Sequence, residues 1–397
     1  MDIPFQFVYF RGGQKVFAGK QRIDLLTAPN GLPNSGLTWE TTTQTNLGAD
    51  LSLFKGRLSL SADYWTKDTK DLLFQVALPN TSGYESFVTN IGEVSNKGFD
   101  FQLGGTIIKN DNFSWNSDFN ISFINNKVKK LPGGNDIQQT ERYLFGGVVS
   151  ILREGESLGS FYLYESNGVF STAKEAAEAG YIDKISKSNG GQPVAGDARW
   201  VDQNKDGVID TKDKIIAGNP IPDFTGGLNN TFKYKGLSLD AFFQFSKGND
   251  VYNNFRTDLV RGFNTNYLKE NLDAWKQEGD ITDVPRNVLL DPANNSEGVV
   301  ARPSTRFLED GSFIKLKTVT LTYEFPNSVL EKLKLSGLKV YAKGTNLLTI
   351  TKYSGFDPEV SVAQNNNAGQ NGGFQFGIDR GLYPLSKSIT LGLSLDF

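Results

Sequence analysis

The 397-residue chain contains no cysteine, no histidine and a single methionine. Without thiols there are no disulfides, thiolate metal sites or cysteine nucleophiles. Without imidazole there is no Ser-His-Asp triad and no histidine-bound zinc. Carboxylate-based catalysis remains possible, but much of the common catalytic vocabulary is absent and an enzyme is not the expected reading. Charge is also sparse: 41 Lys+Arg stand against 44 Asp+Glu, a net charge of −3. A general nucleic-acid binder carries a basic excess, so nucleic acid is not an expected partner. No apolar run approaches the roughly 18 residues of a transmembrane helix. Transmembrane strands need only about 9–11 residues with one apolar face. The first residues, Met1-Asp2-Ile3-Pro4, lack the basic and apolar regions of a secretory leader.

Glycine and aromatics fill the space: 42 Gly, 29 Phe and 14 Tyr. They sit in a pattern of period two, the signature of a strand with one apolar face. Leu47, Ala49, Leu51 and Leu53 alternate with Asn46, Gly48, Asp50 and Ser52. After Lys55-Gly56 the alternation resumes with Leu58, Leu60, Ala62 and Tyr64, which reads as a hairpin. A second hairpin joins Phe99–Ile107 to Phe113–Phe123 around Lys109–Asn112. A third turns at Lys235-Gly236, and a fourth pair runs Thr318–Phe325 and Leu338–Leu348, with one helical turn expected between them. The last strand is Ser388–Phe397.

A soluble antiparallel sheet also alternates, with its polar face in bulk water. Here that face is mostly Ser, Thr, Asn, Gln, Gly and single Asp, short groups suited to a wet lumen. Aromatics cluster near strand ends (Tyr64-Trp65, Phe113, Trp115, Tyr234, Tyr323, Phe325), where the interface girdles of a membrane barrel lie. Short turns, at 55–56, 109–112, 153–157, 235–236 and 326–337, alternate with long connections near 11–36, 68–95, 125–141, 171–222, 248–311 and 350–385. Outer-membrane barrels show that asymmetry, with short periplasmic turns and long extracellular loops. The fold class expected is therefore all-β: an antiparallel transmembrane β-barrel portion of about 12 strands, beginning at Ile3–Phe10. Within the loops, Thr172–Gly180 reads as a short capped helix, and Asn365–Gly377 as a mobile polar stretch.

The sharpest local motif spans 202–213. Asp202, Asn204, Asp206, Asp210 and Asp213 fall at positions 1, 3, 5, 9 and 12, Gly207 at 6, and Val208 at 7 offers its carbonyl. That is the spacing of a calcium loop, with Asp for Glu at the last position. The expected ion is a structural Ca2+; the alternative is a solvated acidic turn. Glu154/Glu156 and Glu309/Asp310 are carboxylate pairs, read as loop charges rather than glycosidase acids. Tyr252, Phe255, Phe263, Tyr267 and Trp275 lie in the 248–311 loop. Tyr252, Phe255 and Trp275 are the candidates for stacking on a ligand; the alternative is that they pack the loop on itself.

Several motifs, in order and nearly end to end, carry a family resemblance. They are Leu37–Asn46, the Asn90-Ile-Gly92-Glu-Val-Ser-Asn96-Lys97-Gly98 step, Gly155–Tyr162, Gly196-Asp197 and the 202–213 loop. Gly218–Phe224, Gly248-Asn249-Asp250, Asp310–Lys317 and Phe356–Ser361 complete the set. The chain resembles the C-terminal barrel portion of SusC/RagA-like TonB-dependent outer-membrane transporters. The resemblance implies a plugged barrel of about 22 strands that imports nutrients such as oligosaccharides or peptides across a Gram-negative, Bacteroidota-like outer membrane. It implies a SusD-like surface lipoprotein over the mouth, outer-membrane lipid around the wall, and the TonB complex as the energy source. Nothing here resembles the family's signal peptide, TonB box or plug. The expectation is thus a fragment: residues 1–397 as the later part of a barrel, with extracellular loops at 171–222 and 248–311, not transport-competent alone. A passive pore or adhesin-like barrel is the alternative.

Overall fold

The computed structural model describes residues 31–32, 34–77, 82, 84, 86–90, 92–140, 148–186, 188–261, 266–288, 296–297, 300–360 and 376–397. Its frame is one nine-stranded antiparallel sheet whose strands are neighbours in chain order. We number them β1 (Thr41–Leu53), β2 (Leu58–Lys70), β3 (Glu93–Lys109), β4 (Phe113–Lys130) and β5 (Phe224–Tyr234). They continue as β6 (Leu237–Lys247), β7 (Phe313–Glu324), β8 (Gly337–Thr351) and β9 (Ser388–Asp396). All four hairpins read from the period-two pattern are present, and the connection after β7 holds a short helix, Asn327–Leu333.

Register explains why the alternation persists. Leu51, Leu60, Leu103, Phe119, Leu228, Phe243, Leu316 and Leu348 are successive cross-strand partners. One apolar row thus crosses eight strands, because a slip of one residue would turn a whole strand inside out. The next inward row on the other face reads Asp50, Ser61, Gln102, Asn120, Gly227, Gln244, Lys315 and Thr349. The apolar face is open along the inner strands: Leu239, Leu321 and Leu348 are 36%, 44% and 49% exposed. Turn chemistry fits as well. Lys235 and Gly236 both have positive φ (44° and 87°), as the two-residue turn that matches strand twist requires.

Every short turn lies at one end of the sheet and every long connection (71–92, 131–223, 248–312, 352–387) at the other. Nine of the twelve expected strands form this sheet. Ile3–Phe10 lies outside the described residues, as does the 365–375 part of the polar stretch. The remaining two correct the sequence reading. The 153–157 turn joins Val148–Leu152 to Ser160–Tyr164 within a separate four-stranded sheet at the long-connection end. Residues 125–130 of the first expected loop extend β4, and the rest of 125–141 and all of 171–222 are parts of one connection, 131–223. Its turn clasps the top of β4: Val128 N–H donates to the Glu156 carbonyl and Gly155 N–H to the Val128 carbonyl, each at 2.8 Å. Alternation alone could not tell a barrel strand from a loop strand.

Candidate functional site

The long connections do not stand apart as separate loops. Val149, Phe161 and Leu163 from 131–223, Tyr252, Val260 and Phe307 from 248–312, and Ile378 from 352–387 form one buried cluster. At roughly 1.5–3 kcal/mol per buried large apolar side chain, this core binds the three segments into one module over the sheet's end. A second cluster, Tyr164, Ala198, Trp200 and Ile209, lies within 131–223.

Polar contacts tie the same segments together. Arg302 Nη1 meets Asp183 Oδ2 at 2.7 Å, both side chains buried. Its guanidinium lies 4.5 Å from the Trp200 ring centroid. Arg286 pairs with Asp197 at 2.8 Å; within 248–312 itself, Arg256 pairs with Glu270 at 2.8 Å and Glu309 at 3.3 Å. The module is also fixed to the wall. Lys315, on β7 and 1% exposed, donates to Asp357 and Glu359, and Lys317 reaches the same Glu359 at 2.6 Å. The Asp357 carboxyl is raised by burial, but hydrogen bonds from Lys315 and the Glu359 N–H outweigh this and hold it below its ordinary value.

Burial perturbs other groups of the module. It pushes the Tyr181 phenol up to about 12 and the Lys214 ammonium down to about 8. Lys214 lies 5.5 Å and 5.2 Å from the Tyr162 and Tyr164 ring centroids, a partial return for its lost hydration.

The sequence-derived candidates separate here. Tyr252 is fully buried, packed on Phe161 and Phe307 at centroid distances of 6.4 Å. This corrects its reading as a stacking residue: it is core. Trp275 is half-buried, its indole N–H donating to the Ser171 carbonyl at 3.1 Å, and it wedges 248–312 against 131–223. Phe255 is half-buried beside the exposed Phe356, 5.6 Å between centroids. Tyr267 is exposed, and Phe263 lies outside the described residues. Three of the four paired carboxylates hold local structure. Glu309 accepts from Arg256, Asn253 and Ser354, Asp310 from Lys247 and Ser312, and Glu154 from the Leu131 N–H.

In the 202–213 loop the side chains bind the loop's own backbone. Gly207 N–H donates to Asp202, Asp206 N–H to Asn204, Val208 N–H to Asp206 and Lys212 N–H to Asp210, all between 2.8 and 3.0 Å. Asp213, fully buried, accepts from the Gln203 and Asp210 N–H groups. Asp202 Oδ1 is buried with no hydrogen-bond donor. Among the described residues no group of three or more acidic side chains is arranged to hold a metal ion.

Sequence reasoning named 310–317 and 356–361 as motifs but gave them no role, and it missed Arg302 and Asp183. The two partners of that pair are 119 positions apart, and no period links them.

Comparison with known proteins agrees with this architecture. The family model "TonB dependent receptor-like, beta-barrel" matches residues 8–347. The chain belongs to that family. Among its members, TonB-dependent receptor P3 of Formosa agariphila is 38% identical over 366 residues, 92% of this chain and 35% of that receptor. TonB-dependent receptor SusC of Bacteroides thetaiotaomicron is 28% identical over 92% of this chain and 32% of SusC. The chain thus spans about a third of the length of the curated relatives it matches. Among solved structures, the RagAB peptide transporter superposes with a TM-score of 0.73 at 28% identity, covering 98% of this chain and 38% of that one. The SusC/RagA-like resemblance read from the motifs is the family relationship found.

Proposed function

We propose that this chain is barrel wall and mouth of a TonB-dependent importer in a Gram-negative outer membrane. The short turns face the periplasm and the loop module faces outward. A SusD-like lipoprotein covers the module, the TonB complex supplies energy through a plug, and the cargo is a peptide or an oligosaccharide. The carrying observation is the juxtaposition of a bare apolar sheet face with a polar inner face and a packed module at one end only. Likeness to the RagAB peptide transporter favours peptide cargo. The module's buried, hydrogen-bonded carboxylates favour transport over hydrolysis.

The test is uptake of labelled oligopeptides and oligosaccharides by cells with the gene deleted, and by cells lacking TonB. The reading expects import of one ligand class to fail in both strains. Import lost on deletion but untouched without TonB would make the barrel a passive pore instead.

The 202–213 loop is proposed to bind Ca2+, supported by its spacing and by the donor-free Asp202 Oδ1. Calorimetric titration with CaCl2 should give one site that Asp202→Ala removes. A flat titration leaves the self-satisfied acidic turn.

A further inference from the structure

On the apolar face, near the short turns, β6 to β9 form a groove of about 540 Å3. It is lined by Leu237, Leu321, Tyr323, Ala342, Leu391 and Leu393, with Val340 between Tyr323 and Leu393. Register explains the hollow. Ala342 is the cross-strand partner of both Leu321 and Leu391, so a methyl group stands where its neighbours carry isobutyl groups. The hollow lies open along the wall's outer face and is lined mainly by apolar side chains.

The edge of this groove is cationic. Lys235 occupies the turn before Leu237, with its ammonium 5.4 Å from the Tyr234 ring centroid. Lys332 and Lys334 are exposed in the connection that joins β7 to β8 beneath the groove. Lys339 is engaged by Glu324 at 3.6 Å; among the described residues none of the other three is in an ion pair. The short-turn end as a whole is basic. Lys55, Arg57, Lys109, Lys233 and these four face only Asp111, Glu324, Glu331 and Asp396. The long connections are the reverse, with 30 Asp+Glu against 19 Lys+Arg.

An apolar hollow ending in ammonium groups beside an aromatic ring matches an amphiphile with a negative head. We propose that the groove holds an acyl chain of an anionic phospholipid, its phosphate met by Lys235, Lys332 and Lys334. The site is distinct from the mouth and would seat one lipid where the rest of the wall meets bulk hydrocarbon. It rests on the membrane reading above. Ammonium groups near an anionic lipid surface contribute about fivefold in affinity each, so the three together give a preference that salt weakens.

The test uses the longest natural polypeptide that carries this sequence, purified in non-ionic detergent. Native mass spectrometry follows retention of added dioleoylphosphatidylglycerol against dioleoylphosphatidylcholine. Phosphatidylglycerol is expected to be retained at least about fivefold better. Replacing all three lysines (Lys235→Gln, Lys332→Gln, Lys334→Gln) should erase the preference. Ala342→Leu should lower retention of both lipids by filling the hollow. A heat-dependent shift in gel mobility reports barrel folding for each variant. A folded barrel that retains both lipids equally, or one indifferent to Ala342→Leu, overturns the site and leaves the membrane reading standing. A second copy of the chain found on this face in place of lipid also overturns it. A protein that neither shows the mobility shift nor enters bilayers overturns the membrane reading together with the site.

Discussion

The wall and the module solve the burial problem in opposite ways. On the wall, large apolar side chains stand open, as with Leu348 at 49% and Leu321 at 44% exposure. In the module, Phe161, Leu163, Tyr252 and Ile209 are fully buried. Sheet and loops are one polypeptide, so the difference is in the solvent each is built for. The wall's apolar face is complete only against hydrocarbon, while the module carries its own core and sets its acidic surface in water. It also explains how a connection as long as 131–223 can fold: its described residues form a small unit with strands and a core of their own.

Substitutions at three places sharpen that contrast. The largest effect is expected in the module. Asp183→Ala leaves the Arg302 guanidinium buried without its counter-ion, at a cost of about 3–5 kcal/mol. Limited proteolysis should then cut within 131–223 while the heat-dependent gel shift of the barrel survives. Loss of both together would mean that wall and module fold as one unit. The double replacement Asp183→Leu with Arg302→Met should restore protection.

Next comes the wall. Leu103→Arg places a charge on the apolar row and should destabilise the barrel by about 2–4 kcal/mol if that row lies near the bilayer midplane. Gln102→Arg, one residue away on the polar face, should cost less than about 1 kcal/mol. Urea titration of refolded barrels in liposomes compares them, and equal costs would remove the distinction between the faces.

The smallest effect concerns Lys214. Its folded pKa, about 8, lies below its ordinary value of 10.5. Between those values the unfolded chain holds more protons than the folded one. Module stability should therefore rise with pH across that window, and below it the buried charge is a constant cost. Lys214→Met should raise stability at pH 7 by about 1–2 kcal/mol, since part of the desolvation cost is already offset by the two tyrosine rings. It should also flatten the rise. Protease-resistance midpoints between pH 7 and 10 provide the check.

Much of the wall was legible because a strand writes its two faces into the sequence at period two. Leu47 to Leu53, Leu58 to Tyr64 and Ile389 to Leu395 show it directly. The module was legible only as length and motif. Nothing periodic marks Tyr252 as core or brings Arg302 to Asp183. The 153–157 turn looked like the others because turn chemistry is local, whereas its place against Val128 is not. The capped helix at 172–180 was readable for the same local reason: the Thr172 hydroxyl accepts from the Glu175 N–H.

The absence of cysteine from the chain makes one measurement especially direct. Single replacements Lys205→Cys in the module, Lys55→Cys at a short turn and Leu103→Cys on the apolar row can be probed in cells with a membrane-impermeant maleimide. The account predicts labelling at 205 in intact cells, at 55 only after the outer membrane is opened, and at 103 in neither case. Labelling of 103 from water, or of 55 in intact cells with 205 protected, would contradict it.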